Sequence, residues 1–180
     1  QPTYTFESRD SRLETTRGWN LVGSVEYAGG FLGGDNYFWR PEVHLSRFQP
    51  LTFSPVKTLV AFNLEAGIVK PFDGREVVPL ERYFLGGENS VRGFQFRSIF
   101  VRDERTNLPV LQDGYYKGGN KFLQANVELQ VLVGGPFRVI LFADGGNVYD
   151  DDQSLDPSRL RYSAGGELRI FVPIFGAPLR

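Results

Sequence analysis

The side chains best suited to covalent or metal chemistry are scarce in this chain of 180 residues. The chain has no Cys, which excludes thiol catalysis, zinc–thiolate sites and disulfides. Its one His, His44, lies in a segment with Arg40 and Glu42, and a single His supplies neither a catalytic triad nor a convincing metal site. The sequence therefore predicts no enzymatic activity and no cofactor.

Carboxylates offer a second route to a metal site. Four aspartates lie close together in the chain, namely Asp150, Asp151, Asp152 and Asp156. Calcium prefers such oxygen ligands, but the spacing matches no known calcium loop. We therefore interpret this segment as a solvated surface turn and predict no metal ion.

Charge and composition narrow the function further. The chain has 20 Lys and Arg against 21 Asp and Glu, and its formal net charge of −1 argues against nucleic acid as a partner. With 41% hydrophobic and 23% charged residues it is not a disordered tail. Its 21 Gly, 16 Phe, 8 Tyr and 2 Trp favour an all-β protein with many turns.

Apolar and polar residues alternate along most of the chain, and this period of two predicts β-strands. The alternating segments are 18–28, 37–48, 57–70, 121–133, 137–148 and 159–172. In 121–133, for example, Val127 and Leu129 alternate with Glu128 and Gln130. Shorter stretches, at 3–9 and from Leu179, are predicted as the end of an earlier strand and the start of a later one.

The predicted strands are long, and their connections alternate in length. A globular strand averages roughly 5–6 residues, whereas a tilted membrane-crossing strand needs about 9–11. Short connections at 10–16, 49–56, 134–136 and 173–177 alternate with longer ones at 29–36, 149–158 and about 71–120. Short turns at one rim and long loops at the other are typical of outer-membrane barrels, which hydropathy scans for apolar helices barely detect.

Four aromatic residues lie near predicted strand ends, where a membrane barrel carries rings of interfacial aromatics. They are Tyr27, Tyr37, Trp39 and Tyr149. Aromatic residues in the core of a soluble protein are the alternative interpretation for these four.

The longest connection contains a recognisable motif within residues 83–94. Its members are Gly86, Gly87, Val91, Arg92, Gly93 and Phe94. Segment 142–150 follows with an aromatic-x-Asp-x-Gly pattern that ends at Gly146. Segment 160–173 comes next as a strand, and segment 173–180 as the turn into the strand after it. Together these segments resemble the outer-membrane assembly and translocation barrels of the BamA type, a superfamily that includes TamA, two-partner-secretion transporters and organellar sorting barrels.

The resemblance covers essentially the whole chain and implies a fold. The expectation is an all-β, antiparallel transmembrane β-barrel of sixteen strands, of which residues 1–180 hold a part with about seven to eight strands. The loop at about 71–120 is expected to insert into the lumen. The periplasmic repeat domains of the family are expected to lie outside this chain.

The resemblance also implies a site. In the family, the signature loop folds back into the lumen and its Arg meets acidic residues of the inner wall. Carried onto this sequence, the Arg is Arg92, and its expected partners are Glu128 and Asp144, which both lie on the polar faces of predicted strands. Gly93 is expected to let the tip turn, and Phe94 to pack beside the Arg. The alternative is that Arg92 is an ordinary exposed loop arginine.

The implied function is to fold and insert outer-membrane proteins, or to translocate proteins across the outer membrane, as part of an assembly machinery. Its expected partners are membrane lipids, unfolded outer-membrane or secreted proteins, and periplasmic lipoproteins. A bacterial outer membrane is favoured over an organellar one. The alternatives are a two-partner-secretion transporter for one dedicated exoprotein, a passive porin or enzyme barrel, and a soluble β-sandwich binding module.

Overall fold

The computed structural model describes residues 1–12, 14–52, 54, 56–171 and 178–179, and nearly all of its regular structure is β-sheet. The strands are β1 Thr3–Glu7, β2 Gly18–Ala28, β3 Phe38–Leu51, β4 Thr58–Ile68, β5 Lys70–Pro71, β6 Leu111–Gln112, β7 Tyr115–Tyr116, β8 Lys121–Gly134, β9 Phe137–Tyr149, β10 Arg161–Phe171 and β11 Pro178–Leu179. Three short 3₁₀ helices cover Gly30–Leu32, Pro79–Glu81 and Pro157–Arg159. The predicted all-β fold is confirmed.

One antiparallel sheet contains most of these strands, in the order β1-β2-β3-β4-β8-β9-β10-β11, with β5 added to the end of β3. β4 and β8 are neighbours in the sheet although the long loop separates them in sequence. Over the described residues the sheet is open, with β1 and β11 as its edge strands. The predicted turn at 173–177 lies outside the described residues.

The burial pattern of the sheet is the reverse of that in a soluble protein. On β8, Gln124 is 2% exposed and Glu128 is 7% exposed, whereas their apolar neighbour Val127 is 43% exposed. On β9, Asp144 is buried and Leu141 is 58% exposed. A soluble sandwich would bury the apolar face and hydrate the polar one. The observed wall is apolar outside and polar inside, which is the pattern of a membrane barrel.

The connection between β4 and β8 is ordered and folds over the polar face. Its two arms pair through the hydrogen bond from Leu85 N to Ile99 O, 3.1 Å, and the bond from Tyr83 N to Gly119 O, 2.8 Å. Its buried apolar side chains form a cluster with two residues of the wall. The cluster consists of Leu85, Val91, Ile99, Val101, Phe122 and Val148. The loop therefore supplies most of the apolar core on the inner face.

The aromatic residues near the strand ends divide into two groups. Tyr27 and Trp39 are paired across β2 and β3 and are each 41% exposed, as expected for an interfacial ring. The prediction for Tyr149 is wrong, because its side chain is 2% exposed and its hydroxyl donates to Asp156 O at 2.6 Å.

Within the described residues, no helix has the length and apolar character needed to cross a membrane.

Candidate functional site

The candidate site lies where the tip of the long loop meets the inner wall. Two backbone hydrogen bonds close the tip: Gly87 N donates to Phe94 O and Ser90 N donates to Gly87 O, both at 3.1 Å. Gly86, Gly87 and Gly93 have φ values of +102°, +110° and +81°. A Cβ on Gly86 would lie 2.4 Å from Gln95 O, so only glycine fits there. This tight turn directs Arg92 at the sheet.

Arg92 is held by Asp144 of β9 through three hydrogen bonds. Its Nε donates to Asp144 Oδ2 at 2.7 Å and its Nη2 donates to Oδ1 at 2.7 Å, which is the parallel two-point pairing of a guanidinium with a carboxylate. The backbone N of Arg92 adds a bond of 3.0 Å to Oδ2. Side chain and main chain of the tip are therefore fixed to one carboxylate.

The same guanidinium reaches two further strands. Arg92 Nη1 donates to Glu128 Oε1 of β8 at 2.7 Å and to Glu167 Oε2 of β10 at 3.0 Å. Arg169 supplies a second cation, since its Nε donates to Glu167 Oε1 at 2.8 Å and its Nη2 donates to Glu128 Oε1 at 3.1 Å. We call Arg92, Asp144, Glu128 and Glu167 the tip site. One loop residue thus ties three adjacent strands together.

The ring of Phe142 on β9 lies against the guanidinium, with 3.8 Å between the Arg92 Cζ atom and the ring centroid. A cation over an aromatic face is attracted by the ring quadrupole, most strongly where water is excluded. Burial by itself lowers the pKa of Arg92, but the Asp144 hydrogen bond and the charge of Glu128 outweigh it and raise that pKa above its usual value. The cation is therefore permanent.

Val91 contributes an apolar contact beside the ionic one. Its side chain is fully buried in the loop cluster and lies over Gly146 of β9. A Cβ on Gly146 would come within 2.8 Å of Val91 Cγ2 and 2.9 Å of Leu85 Cδ1. The glycine is thus needed for the close approach of loop and wall, although its backbone is not in the left-handed region.

Comparison with known proteins identifies a family for this chain. A model of the Omp85 superfamily domain matches residues 1–180. The chain belongs to the Omp85 superfamily. The resemblance to BamA-type barrels is therefore confirmed.

Three relatives illustrate the similarity of this Omp85 chain. It is 30% identical to a SAM50-like protein of Schizosaccharomyces pombe, over 81% of this chain and 30% of the relative. It is 27% identical to the outer membrane protein assembly factor BamA of Nitratidesulfovibrio vulgaris, over 98% of this chain and 22% of the relative. It is 27% identical to the sorting and assembly machinery component 50 homolog of Mus musculus, over 92% of this chain and 36% of the relative. The chain thus spans about a fifth to a third of their lengths.

The fold of this Omp85 chain is also found in a solved structure. The crystal structure of BamA from Haemophilus ducreyi lacking POTRA domains 1–3 superposes with a TM-score of 0.77 at 23% identity. The match covers 98% of this chain and 36% of that chain. The likeness establishes a shared fold for the wall and the internal loop.

The structure brings together Arg92, Glu128 and Asp144, the three residues that the sequence suggested as partners. Phe94, expected beside Arg92, packs against the loop cluster, and the ring that lies over the guanidinium is that of Phe142. Glu167 was not expected in the site. Its position on the polar face of β10 was a usable signal, but the register between β9 and β10 decides which polar residue reaches the tip.

Amide and hydroxyl groups surround the tip site. Ser90 Oγ donates to Gln124 Oε1 at 2.6 Å, and Asn126 Nδ2 donates to Ser90 O at 3.0 Å. On the side away from the loop, Gln130 Nε2 donates to Glu128 Oε2 at 2.7 Å, and Arg138 Nη1 donates to Gln130 Oε1 at 3.0 Å. The polar atoms of the inner wall are thus largely satisfied by one another, which buried polar groups require.

Two residues that were weighed for catalysis or metal binding, His44 and Asp150, contact other polar side chains. His44 Nδ1 lies 3.0 Å from Glu65 Oε1, and its Nε2 lies 2.8 Å from Ser46 Oγ. Asp150 is paired with Lys117 and lies 3.9 Å from Arg82 Nη1. Among the residues that the structure describes, no three His, Asp or Glu side chains are grouped to hold a metal ion.

Proposed function

We propose that this chain forms part of the wall of an outer-membrane β-barrel that folds and inserts outer-membrane proteins or translocates proteins, as part of an assembly machinery. Its BamA relative is named an outer membrane protein assembly factor, and its SAM50 relatives are named sorting and assembly machinery components. The observation that carries the proposal is the combination of an apolar outer face with a loop fixed inside the polar face.

Residues 1–180 would supply about half of a sixteen-stranded barrel. The exposed apolar side chains of β8 and β9, such as Val127 and Leu141, would contact lipid acyl chains. The bacterial outer membrane is the proposed location, supported by the alignment of 98% of this chain with a bacterial BamA. Unfolded outer-membrane or secreted proteins would be the substrates, and periplasmic lipoproteins would be partners.

The proposed work of the barrel needs no covalent step. An incoming strand can be templated by backbone hydrogen bonding to an exposed strand edge, which is β-augmentation. The role proposed for this chain is to keep the wall in one shape while edges elsewhere open. The tip site serves that role because Arg92 bonds carboxylates on three neighbouring strands, β8, β9 and β10.

The test uses the full-length gene product that contains this chain, reconstituted in lipid vesicles. An unfolded outer-membrane barrel protein is added, and its folding is followed by resistance to protease. We expect vesicles with the protein to fold the substrate faster than empty vesicles, and Arg92→Ala to lower that rate. Arg105→Ala is the matched control, since Arg105 is an exposed arginine of the same loop.

Equal folding rates in empty and loaded vesicles would refute the assembly function. Export of one dedicated protein without acceleration of barrel folding would assign the secretion function instead. A normal rate of substrate folding with Arg92→Ala would show that the assembly activity does not require the tip site.

A further inference from the structure

A cavity of about 470 Å³ lies away from the tip site. It is enclosed by the turn at residues 102–107, the end of β9 and the start of β10. This is the rim from which the long connections emerge, and in outer-membrane barrels that rim faces the cell exterior. Arg102, Arg159 and Arg161 line this cavity, which we call the mouth pocket.

Two of these arginines lack a carboxylate partner. Arg102 Nη1 donates to the backbone oxygen Asn107 O at 2.9 Å, and the Nε atom of Arg102 is buried without a hydrogen-bond partner. Arg161 is half-buried, and its guanidinium makes no hydrogen bond or ion pair with any residue that the structure describes. Only Arg159 has acids nearby, Glu104 and Asp156, each at 3.4 Å.

The two acidic residues that line the mouth pocket are already engaged. Asp103 Oδ1 accepts from Thr106 N at 2.7 Å, from Thr106 Oγ1 at 2.9 Å and from Arg105 N at 3.0 Å. The backbone hydrogen bond from Thr106 lowers the pKa of Asp103. Glu104 faces Arg159. The nearby carboxylates thus serve Arg159 and the backbone of the turn, and Arg102 and Arg161 are the two lining cations without an ion pair to a described residue.

Two other arginines withdrawn from water, Arg40 and Arg169, do not have this deficit. Arg40 bonds Glu26 and Glu81, and Arg169 bonds Glu128 and Glu167. A guanidinium withdrawn from water without a counter-charge is costly, and its planar fork fits the oxygen atoms of a phosphate. Two such forks at one cavity present a complementary surface for an anion with several oxygens.

We propose that the mouth pocket binds a phosphate group, with Arg102 and Arg161 as its two principal contacts. The cavity is larger than a phosphate ion and falls in the size range of small-ligand sites, so it has room for the sugar or lipid headgroup that carries the phosphate. Amide side chains of Asn147 and Gln153 line the same cavity, and their nitrogens donate to Arg159 O at 3.0 Å and to Arg102 O at 2.8 Å. An amide nitrogen has a second N–H, which can bond such a headgroup. The inference goes beyond the proposed function and does not depend on it.

Calorimetric titration of inorganic phosphate into the full-length protein in detergent, at constant ionic strength, tests this proposal. We expect saturable binding, and we expect Arg102→Gln and Arg161→Gln each to weaken it at least tenfold. Arg105→Gln is the control, because it removes the same charge from the same turn at a residue that does not line the cavity. The phosphate affinity of this variant should stay within twofold of that of the parent protein.

Arg161→Lys is the control for misfolding of the glutamine variants, because it keeps the positive charge and removes only the planar guanidinium. It should bind phosphate with an affinity between those of the parent protein and Arg161→Gln. Absence of saturable binding by the parent protein would overturn the proposal. So would equal weakening by Arg105→Gln, which would indicate general attraction by charge.

Nanodiscs distinguish free from lipid-linked phosphate. The titration is repeated in phosphatidylcholine nanodiscs with and without lipid A, whose headgroup is a phosphorylated sugar. A weaker apparent affinity for inorganic phosphate when lipid A is present would assign the site to the lipid headgroup. An unchanged affinity would assign it to soluble phosphate compounds.

Discussion

The tip site and the mouth pocket each contain an arginine of the long loop, Arg92 and Arg102, yet the two sites differ in which groups neutralise their charges. At the tip site, every guanidinium nitrogen of Arg92 bonds a carboxylate, and three strands supply the acids. At the mouth pocket, Arg102 and Arg161 form no ion pair with any residue that the structure describes. The first arrangement fixes a loop, whereas the second leaves donors free for an anion.

The comparison shows that a buried arginine is informative only together with its partners. A satisfied cation in a partly dry lumen stabilises the structure that surrounds it, and removal of one partner leaves charges that water cannot reach. An unsatisfied cation stabilises nothing by itself. The four substitutions that follow test this difference, in order of decreasing expected loss of stability.

Arg92→Ala should have the largest effect. It leaves the Asp144 carboxylate buried without its arginine, whereas Arg169 still bonds Glu128 and Glu167. The loss of one partner from a buried ionic group costs about 3–5 kcal/mol. Urea unfolding of the full-length protein in detergent measures the free energy of unfolding. The free energy of unfolding of Arg92→Lys should lie between those of the parent protein and Arg92→Ala, because an ammonium cannot pair at two points with Asp144. A loss below about 1 kcal/mol for Arg92→Ala would contradict the role of the tip site.

Gly146→Val should come next. Its new side chain would collide with Val91 and Leu85, which already lie within 3 Å of the Cβ position. Overpacking of this kind costs about 1–3 kcal/mol, and here it should also lift the loop from the wall and increase its cleavage by protease. Gly23→Ala is the control, since nothing lies within 4 Å of that Cβ position and Gly23 is also in a strand. Unaltered protease resistance of the loop in Gly146→Val would contradict the close packing.

Phe142→Leu isolates the aromatic contact with Arg92. Leucine keeps an apolar side chain at this position but removes the ring that lies 3.8 Å from the Arg92 Cζ atom. The expected loss is about 1–2 kcal/mol in the free energy of unfolding. A double-mutant cycle with Arg92→Ala measures the coupling directly. Additive losses in that cycle would show that the ring contributes only by its burial.

The sequence predicted the wall better than it predicted the site. Alternation along each strand identified which face of β8 is polar, because side chains of a strand point to opposite sides whatever the strand pairs with. The same parity places Phe142 on the inner face with Asp144, so its approach to the loop tip could have been anticipated. The expected packing of Phe94 beside Arg92 stays a prediction, because the packing of a loop side chain depends on tertiary contacts that alternation does not reveal.

Glu167 shows where sequence reasoning ended. Its reach to Arg92 depends on the pairing of β10 with β9, in which Ser163 lies opposite Asp144 and Glu167 lies opposite Ile140. That register is set by the turn and by side chains across both strands, and alternation within one strand does not reveal it. The mouth pocket was hidden for the same reason, since Arg102 and Arg161 meet only after the loop folds back.

Arg161→Gln should have the smallest effect on stability, within about 0.5 kcal/mol of the parent protein. Removal of a guanidinium without an ionic partner loses no ion pair, and it relieves the cost of withdrawing that charge from water. Urea unfolding in phosphate-free buffer is the measurement, because bound phosphate would stabilise only the parent protein. With phosphate added, the parent protein should gain stability and the variant should not. A loss as large as that of Arg92→Ala in phosphate-free buffer would mean that Arg161 has a structural partner, and the contrast between the two sites would fail.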